Sequence, residues 1–174
     1  MAIGTKTGER NRRVEYSPNL WHLNATLAAR ENCLAEALWY HEASLRADNA
    51  YLAQTLLSPD RLHSYARNNS RYIKILRRCG RVHDAISLAR YAMSLPQYPQ
   101  LGRFPIASRN WDIGRTELWK TLRDFELWDA LLKESSTLIL SPTSVPAERI
   151  HWLRMVGIAL FQTGRLADGV ACLN

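Results

Sequence analysis

Cysteine is scarce in this sequence of 174 residues, and its three copies lie far apart. Cys33, Cys79 and Cys172 form no C-x-x-C pair and no cysteine–histidine pair at metal-binding spacing. This argues against both a disulfide framework and a structural zinc site. Cys33 and Cys79 fall on apolar helical faces, where we expect buried free thiols. Such cysteine usage is typical of a reducing compartment.

Long apolar runs are also missing. No apolar stretch reaches the 18 residues or so that would predict a membrane-spanning helix. Residues 1–16 lack the apolar segment of a secretory signal and have no helical period, which predicts a flexible basic tail. Together with the cysteine usage, these absences predict a cytoplasmic protein that does not bind membranes.

The motifs of common catalytic sites are absent from the sequence. There is no nucleophile-elbow, P-loop or dinucleotide-binding glycine motif. The five histidines are scattered without metal-ligand spacing: His22, His41, His63, His83 and His151. The sequence therefore predicts a protein that is not an enzyme, with no catalytic residues, no metal site and no cofactor.

What the sequence does contain is helical periodicity, interrupted by its few glycines and prolines. It predicts a single all-α domain over residues 17–174. We expect four helical hairpins, over residues 19–57, 58–96, 111–140 and 146–174. A loop over residues 96–110 should separate the second hairpin from the third. Turn-favouring residues in the first hairpin predict helix breaks near Glu31–Asn32 and near Asp48–Asn49.

The second hairpin has the clearest boundary signals. Ser58 and Pro59 suit the cap and first position of a helix, and Asp60 favours its positive end. Gly80 suits the left-handed position that ends this helix. A second helix should then run from Val82 to about Leu95.

The same turn pattern recurs along the chain. The run from Leu76 through Gly80 to Ala85 matches the run from Leu160 through Gly164 to Gly169. A weaker copy begins at Phe125. In this alignment Phe125 matches Gly80, and Ala130 matches Ala85. In each copy a tight turn is followed by an apolar residue, an acid and a small residue that allows close helix packing.

This pattern resembles the tetratricopeptide repeat, a helix-turn-helix unit of about 34 residues. The resemblance implies a right-handed superhelical array of antiparallel helical hairpins. It also implies a concave groove lined by the first helix of each hairpin, and it matches Arg67 and Arg71 to a basic pair that binds a peptide's terminal carboxylate in one subclass.

The positive charge is concentrated in the second hairpin. Residues 61–90 hold eight Lys/Arg and one acid, so their surplus of seven equals the formal net charge of the whole chain, +7. On a helical projection most of these cations share one face. The candidate binding residues are Arg67, Ser70, Arg71, Lys74, Arg77, Arg78 and Arg81.

Three functions fit this basic face. The first is a scaffold that binds an acidic protein or peptide segment, because arginine forms bidentate bonds with carboxylates. The second is RNA binding through the same residues, although Tyr65 and Tyr72 fall on the opposite face and would not stack on bases. The third is an accessory helical module of a larger enzyme. The last helix ends with apolar residues exposed, which predicts either self-association or a continuation of the array.

Overall fold

The computed structural model describes residues 18–97, 109–142 and 144–173. Over these ranges the fold is all-α and contains no strand, which confirms the predicted class. The helices are α1 (Pro18–Arg30), α2 (Leu34–Thr55), α3 (His63–Arg78), α4 (Val82–Ser94), α5 (Asn110–Asp124), α6 (Trp128–Ser135), α7 (Pro146–Gln162) and α8 (Leu166–Leu173). The predicted tail, residues 1–16, and most of the predicted loop lie outside the described residues.

Four of the helix connections use the same tight turn. Each has one residue with positive φ: Asn32 (60°), Gly80 (70°), Glu126 (53°) and Gly164 (77°). The amide of the residue after it donates to the carbonyl five positions earlier, at 2.8 or 2.9 Å. This is the Schellman geometry, which satisfies carbonyls left open at a helix end. The predicted roles of Gly80 and Gly164 are confirmed.

The weaker copy of the repeat was aligned one residue too early. Glu126, not Phe125, takes the left-handed position, and the following amide, that of Leu127, donates to the carbonyl of Leu122 at 2.8 Å. The residue equivalent to the buried Ala85 is therefore Leu131, which is fully buried, while Ala130 is exposed. The apolar spacing misled the alignment because no glycine marks this turn.

The second predicted break in the first hairpin is wrong. A break is present at Glu31–Asn32, but α2 continues without interruption through Asp48 and Asn49. Both polar side chains have partners on α3 that replace turn formation. Asp48 Oδ2 accepts a bond from Asn68 Nδ2 at 2.7 Å, and Asn49 Oδ1 accepts one from the Tyr65 hydroxyl at 2.7 Å. Asp48 is buried and needs such a partner, whereas Asn49 is exposed, and the two bonds together join α2 to α3.

The capping prediction at Ser58 is also corrected. Pro59–Arg61 form a short 3-10 helix, and α3 begins only at His63. Ser58 makes no side-chain cap bond and instead donates weakly to the Pro96 carbonyl. Asp60 does lie at a helix N-terminus, but at that of α5, where its Oδ1 accepts from the Asn110 amide at 3.3 Å and side chain at 2.9 Å.

The chain divides into two compact units, with the boundary after Glu117 inside α5. The first unit contains α1–α4 and the start of α5. Close packing there depends on small residues: Ala85 is fully buried, as predicted, and a Cβ on Gly114 would lie 2.5 Å from the Ala89 carbonyl oxygen. Since no side chain fits at that distance, Gly114 allows α5 to approach α4.

The second unit contains the rest of α5 and α6–α8. Two of its tryptophans pack as structural residues. Trp119 is buried and meets the His151 ring edge-on at 5.7 Å, and Trp152 Nε1 donates to the Ser135 carbonyl at 3.3 Å. α6 ends at Ser135, and Leu138 lies beyond this end and is exposed.

The prediction of buried cysteines fails for Cys33. All three thiols are free, but Cys33 is exposed, while Cys79 and Cys172 are partly buried. Cys33 occupies the N-cap position of α2, just after the turn at Asn32. A residue in a tight helix connection projects toward solvent even when the neighbouring helical faces are apolar.

Candidate anion-binding cleft

A cleft of about 300 Å³ opens in the first unit between α1, α2 and α3. It forms on the basic side of α3, whose cations recur every three or four residues and therefore lie on one face. The opposite side of α3 is packed into the core through Tyr65, Ile73 and Leu76. The lining residues are His22, Thr26, Ala29, Arg30, His41, Arg71, Lys74, Ile75 and Arg78.

The lining of this cleft carries charge of one sign. It includes four cationic side chains and no carboxylate. Among the described residues, Arg71 and Arg78 form no ion pair. Lys74 Nζ lies 3.9 Å from Glu117 Oε1, but Lys74 is itself more than half exposed. Because like charges repel, such a cleft favours an anionic ligand.

Two histidines form part of the cleft wall. Their rings are 5.8 Å apart, with His22 on α1 and His41 on α2. Burial, followed by the charges of Arg71 and Arg67, lowers the pKa of His22 to about 4. Burial, followed by the charges of His22 and Arg71, lowers the pKa of His41 to about 4. Both imidazoles are therefore neutral at pH 7.

The tautomer of His22 follows from its contact with Arg71. Arg71 Nη1 contacts His22 Nε2, and a guanidinium can only donate hydrogen bonds. Nε2 must then carry the lone pair, which leaves the proton on Nδ1. That Nδ1–H is buried and has no hydrogen-bond partner among the described residues. Its burial keeps this N–H out of reach of a ligand in the open cleft.

Two of the predicted binding residues turn away from the cleft toward α5. Glu117 is almost fully buried and accepts from Arg77 Nη1 at 2.9 Å and from the Ser70 hydroxyl at 3.0 Å. Arg77 is also largely buried. These contacts join α3 to the start of α5, so Arg77 and Ser70 act as structural partners of Glu117.

The remaining basic residues are distributed around the same face. Arg81 is paired with Asp84 at 2.6 Å, and this bond raises the pKa of the exposed Arg81 guanidinium. Arg78 donates to the Ala29 carbonyl and to Asn32 Oδ1, both at 3.4 Å, which links it to the end of α1. Arg67 is exposed and does not line the cleft.

Of the predicted residues, the structure thus brings Arg71, Lys74 and Arg78 together in the cleft. Four further lining residues were not predicted from the sequence: His22, Thr26, Arg30 and His41. One signal could have found the histidines. They stand ten residues before and nine residues after Asn32, the turn of the first hairpin, and residues at similar distances from a turn face each other in antiparallel helices.

No group of three or more histidine, cysteine or acidic side chains in the described ranges is arranged to hold a metal ion. None of the described helices has the length and apolar character that crossing a bilayer requires. A scan against protein-family models, a search of curated proteins and a search of solved structures each returned no match.

Proposed function

We propose that this chain is a non-catalytic helical scaffold that binds an acidic protein or peptide segment in the cleft between α1, α2 and α3. The observation that carries this proposal is the lining of the cleft, which has four cations and no carboxylate. Arginine recognises carboxylates and other planar or tetrahedral oxyanions through paired N–H donors. Acidic side chains of a partner would supply the missing negative charge.

The repeated turns support a tetratricopeptide-like arrangement as part of the proposal. Four hairpin turns share one backbone geometry, and a small residue follows the turn in three of them at the same distance: Ala37, Ala85 and Gly169. Stacking such hairpins in a right-handed superhelix would put α1 and α3 on the groove side. The cleft, which is lined mainly by α1 and α3, would then open into that groove.

The environment of the aromatic residues argues against RNA as the ligand. Tyr65 is almost fully buried and Tyr72 is partly buried, so neither offers α3 an exposed ring beside its cations. Single-stranded nucleic acids usually gain affinity by stacking bases on exposed aromatic side chains. A role as a helical module of a larger enzyme remains compatible with the same cleft.

The test uses a fluorescently labelled peptide of ten glutamates and measures binding by anisotropy. Reversing Arg71 and Arg78 to Glu should weaken binding by roughly 100-fold or more, because each charge-assisted bond contributes about 1.5–3 kcal/mol. The matched control reverses Arg149 and Arg154, two exposed arginines of α7, and changes the net charge equally. We expect the control to bind like the parent.

Equal binding by parent and Arg71→Glu/Arg78→Glu would overturn the proposal, as would equal weakening in the α7 control. A labelled oligouridine provides the RNA comparison. If it binds more tightly than the peptide and loses on the order of 10²–10³-fold in affinity between 50 and 200 mM salt, RNA is the better ligand and the peptide proposal fails.

A further inference from the structure

We propose that the cleft is a phosphate-binding site, and that the acidic group it accepts is the phosphomonoester of a phosphorylated serine or threonine in the partner. This inference rests on the proposed function and names its ligand more closely. It is carried by the four cations that converge on one small cleft with no carboxylate in its lining.

The cleft concentrates positive charge. Arg30, Arg71, Lys74 and Arg78 bring four positive charges to a cleft of about 300 Å³. A carboxylate would offset one of them. A phosphomonoester carries about −1.5 to −2 near pH 7, so it offsets nearly twice as much charge in the same space. Since the mutual repulsion of these cations grows as they are desolvated, the more highly charged group gains more from entering.

The cleft also offers several hydrogen-bond donors. Arg71 presents a planar fork of N–H groups, and Arg30, Lys74 and Arg78 add further donors to the same lining. A phosphoryl group has three terminal oxygens, so it can accept from three of these cations at once. A carboxylate has two oxygens.

The residues that line the cleft differ in exposure. His41 is buried, His22 and Arg71 are partly buried, and Lys74 and Arg78 are exposed. A ligand would thus meet exposed cations first and the partly buried Arg71 deeper inside. The volume is at the lower limit of ordinary ligand pockets, which suits one side chain with its phosphoryl group better than a longer segment.

The experiment compares three peptides that differ at one position, which is phosphoserine, glutamate or serine within otherwise identical acidic sequence. We expect the phosphoserine peptide to bind roughly 10- to 100-fold more tightly than the glutamate peptide, which corresponds to one additional charge-assisted bond. Inorganic phosphate and free phosphoserine serve as competitors. Displacement of the phosphopeptide by millimolar phosphate, but not by sodium chloride of equal ionic strength, would support a phosphoryl site.

Variants then locate the preference. Arg71→Gln and Lys74→Gln should each reduce the ratio of phosphoserine to glutamate affinity toward one, whereas the control Arg149→Gln should leave the ratio unchanged. Lys74 is more than half exposed, so Lys74→Gln provides the measurement even if Arg71→Gln fails to fold.

Histidine NMR gives a readout that needs no peptide. Inorganic phosphate in the cleft should raise the pKa of His22 from about 4 by roughly one to two units, because a nearby anion favours imidazolium. The NMR signals of the exposed His63 and His83 should not move when phosphate is added. The charged or titratable groups around His22 are His41 on α2, Arg30 on α1, and Arg67, Arg71, Lys74 and Arg78 on α3.

The outcomes separate this inference from the proposed function. If the glutamate and phosphoserine peptides bind equally and phosphate leaves the His22 pKa unchanged, the phosphoryl inference is overturned while acidic-peptide binding stands. If free phosphoserine binds as tightly as the phosphopeptide, the site recognises a small phosphomonoester and the peptide part of the inference is wrong. If none of the peptides binds, both proposals fail.

Discussion

Arg71 and Arg77 lie on the same helix but in opposite electrostatic settings. Arg77 meets the buried carboxylate of Glu117 at 2.9 Å, on the side of α3 that faces α5. Arg71 meets a neutral imidazole, that of His22, on the side that faces α1 and α2. Two arginines that are indistinguishable by residue type therefore differ in whether the protein itself supplies their counter-charge.

This difference shows how a surplus of positive charge becomes a site. On the α5 side, the cation and carboxylate satisfy each other, so the pair holds two helices together and offers little to a ligand. On the cleft side, burial lowers the pKa of Arg71 and no described carboxylate pairs with it. The first arrangement stabilises the fold, and the second leaves binding capacity for a partner.

The largest loss of stability should come from breaking the ion pair between Arg77 and Glu117. Glu117→Gln removes the carboxylate that the largely buried Arg77 meets at 2.9 Å, and removing one member of a buried ion pair costs about 3–5 kcal/mol. We expect the free energy of unfolding in urea to fall by that amount. The exposed Glu36→Gln in α2 is the matched control and should stay within about 0.5 kcal/mol of the parent.

A double variant sharpens this measurement. If the penalty comes from an uncompensated Arg77 charge, Glu117→Gln/Arg77→Gln should be more stable than Glu117→Gln alone, because the stranded charge is gone. A Glu117→Gln protein as stable as the Glu36→Gln control would mean that the contact between α3 and α5 contributes little, and the contrast between the two sides of α3 would disappear.

The histidines on the cleft side of α3 should make the free energy of unfolding depend on pH. Burial lowers the pKa of His22 and His41 from the ordinary 6.5 to about 4, so the unfolded chain binds more protons between these values. The stability that depends on the neutral histidines is therefore complete above pH 6.5 and is lost as pH falls toward 4. We expect a loss on the order of 2 kcal/mol, less than the full pKa difference implies because His22 is partly exposed and solvent screens it.

The measurement is the difference in pH dependence between the parent and His22→Gln/His41→Gln. Other groups, including the carboxylates and the buried Asp48, whose pKa is raised by burial, titrate in both proteins and cancel in the comparison. The variant should lose less stability than the parent between pH 6.5 and 4. Parallel curves would show that the two histidines are not held neutral by the cleft.

Much of the fold was predictable because local signals determine it. Gly80 and Gly164 mark their turns since glycine adopts positive φ without strain, and the helical period predicts the elements on either side. The turn at Glu126 was assigned one residue early because a non-glycine residue takes that conformation. The break predicted at Asp48–Asn49 failed because α3 supplies partners for both side chains, and sequence spacing alone does not reveal such long-range contacts.

The site was predictable only in part, for the same reason. A helical projection groups the cations of α3, but it does not say which of them meets a carboxylate from α5. Arg77 therefore entered the candidate site, although Glu117 lies 40 positions away in sequence and pairs with it. His22 and His41 were absent from the candidate site because their proximity depends on two helices meeting across a turn.

The smallest stability effect should follow from removing a cleft cation. Arg78→Gln loses two long hydrogen bonds, to the Ala29 carbonyl and Asn32 Oδ1, but it also relieves repulsion from the other cations of the cleft. Because these terms oppose each other on an exposed side chain, the free energy of unfolding should stay within about ±0.5 kcal/mol of the parent. Arg77→Gln, the same substitution one residue earlier, should cost clearly more, since it removes the guanidinium that the buried Glu117 carboxylate contacts at 2.9 Å. Urea unfolding of both variants under one set of conditions decides the matter. Equal losses would mean that the cleft cations are structural, and the distinction between a paired and a ligand-binding side of α3 would have to be abandoned.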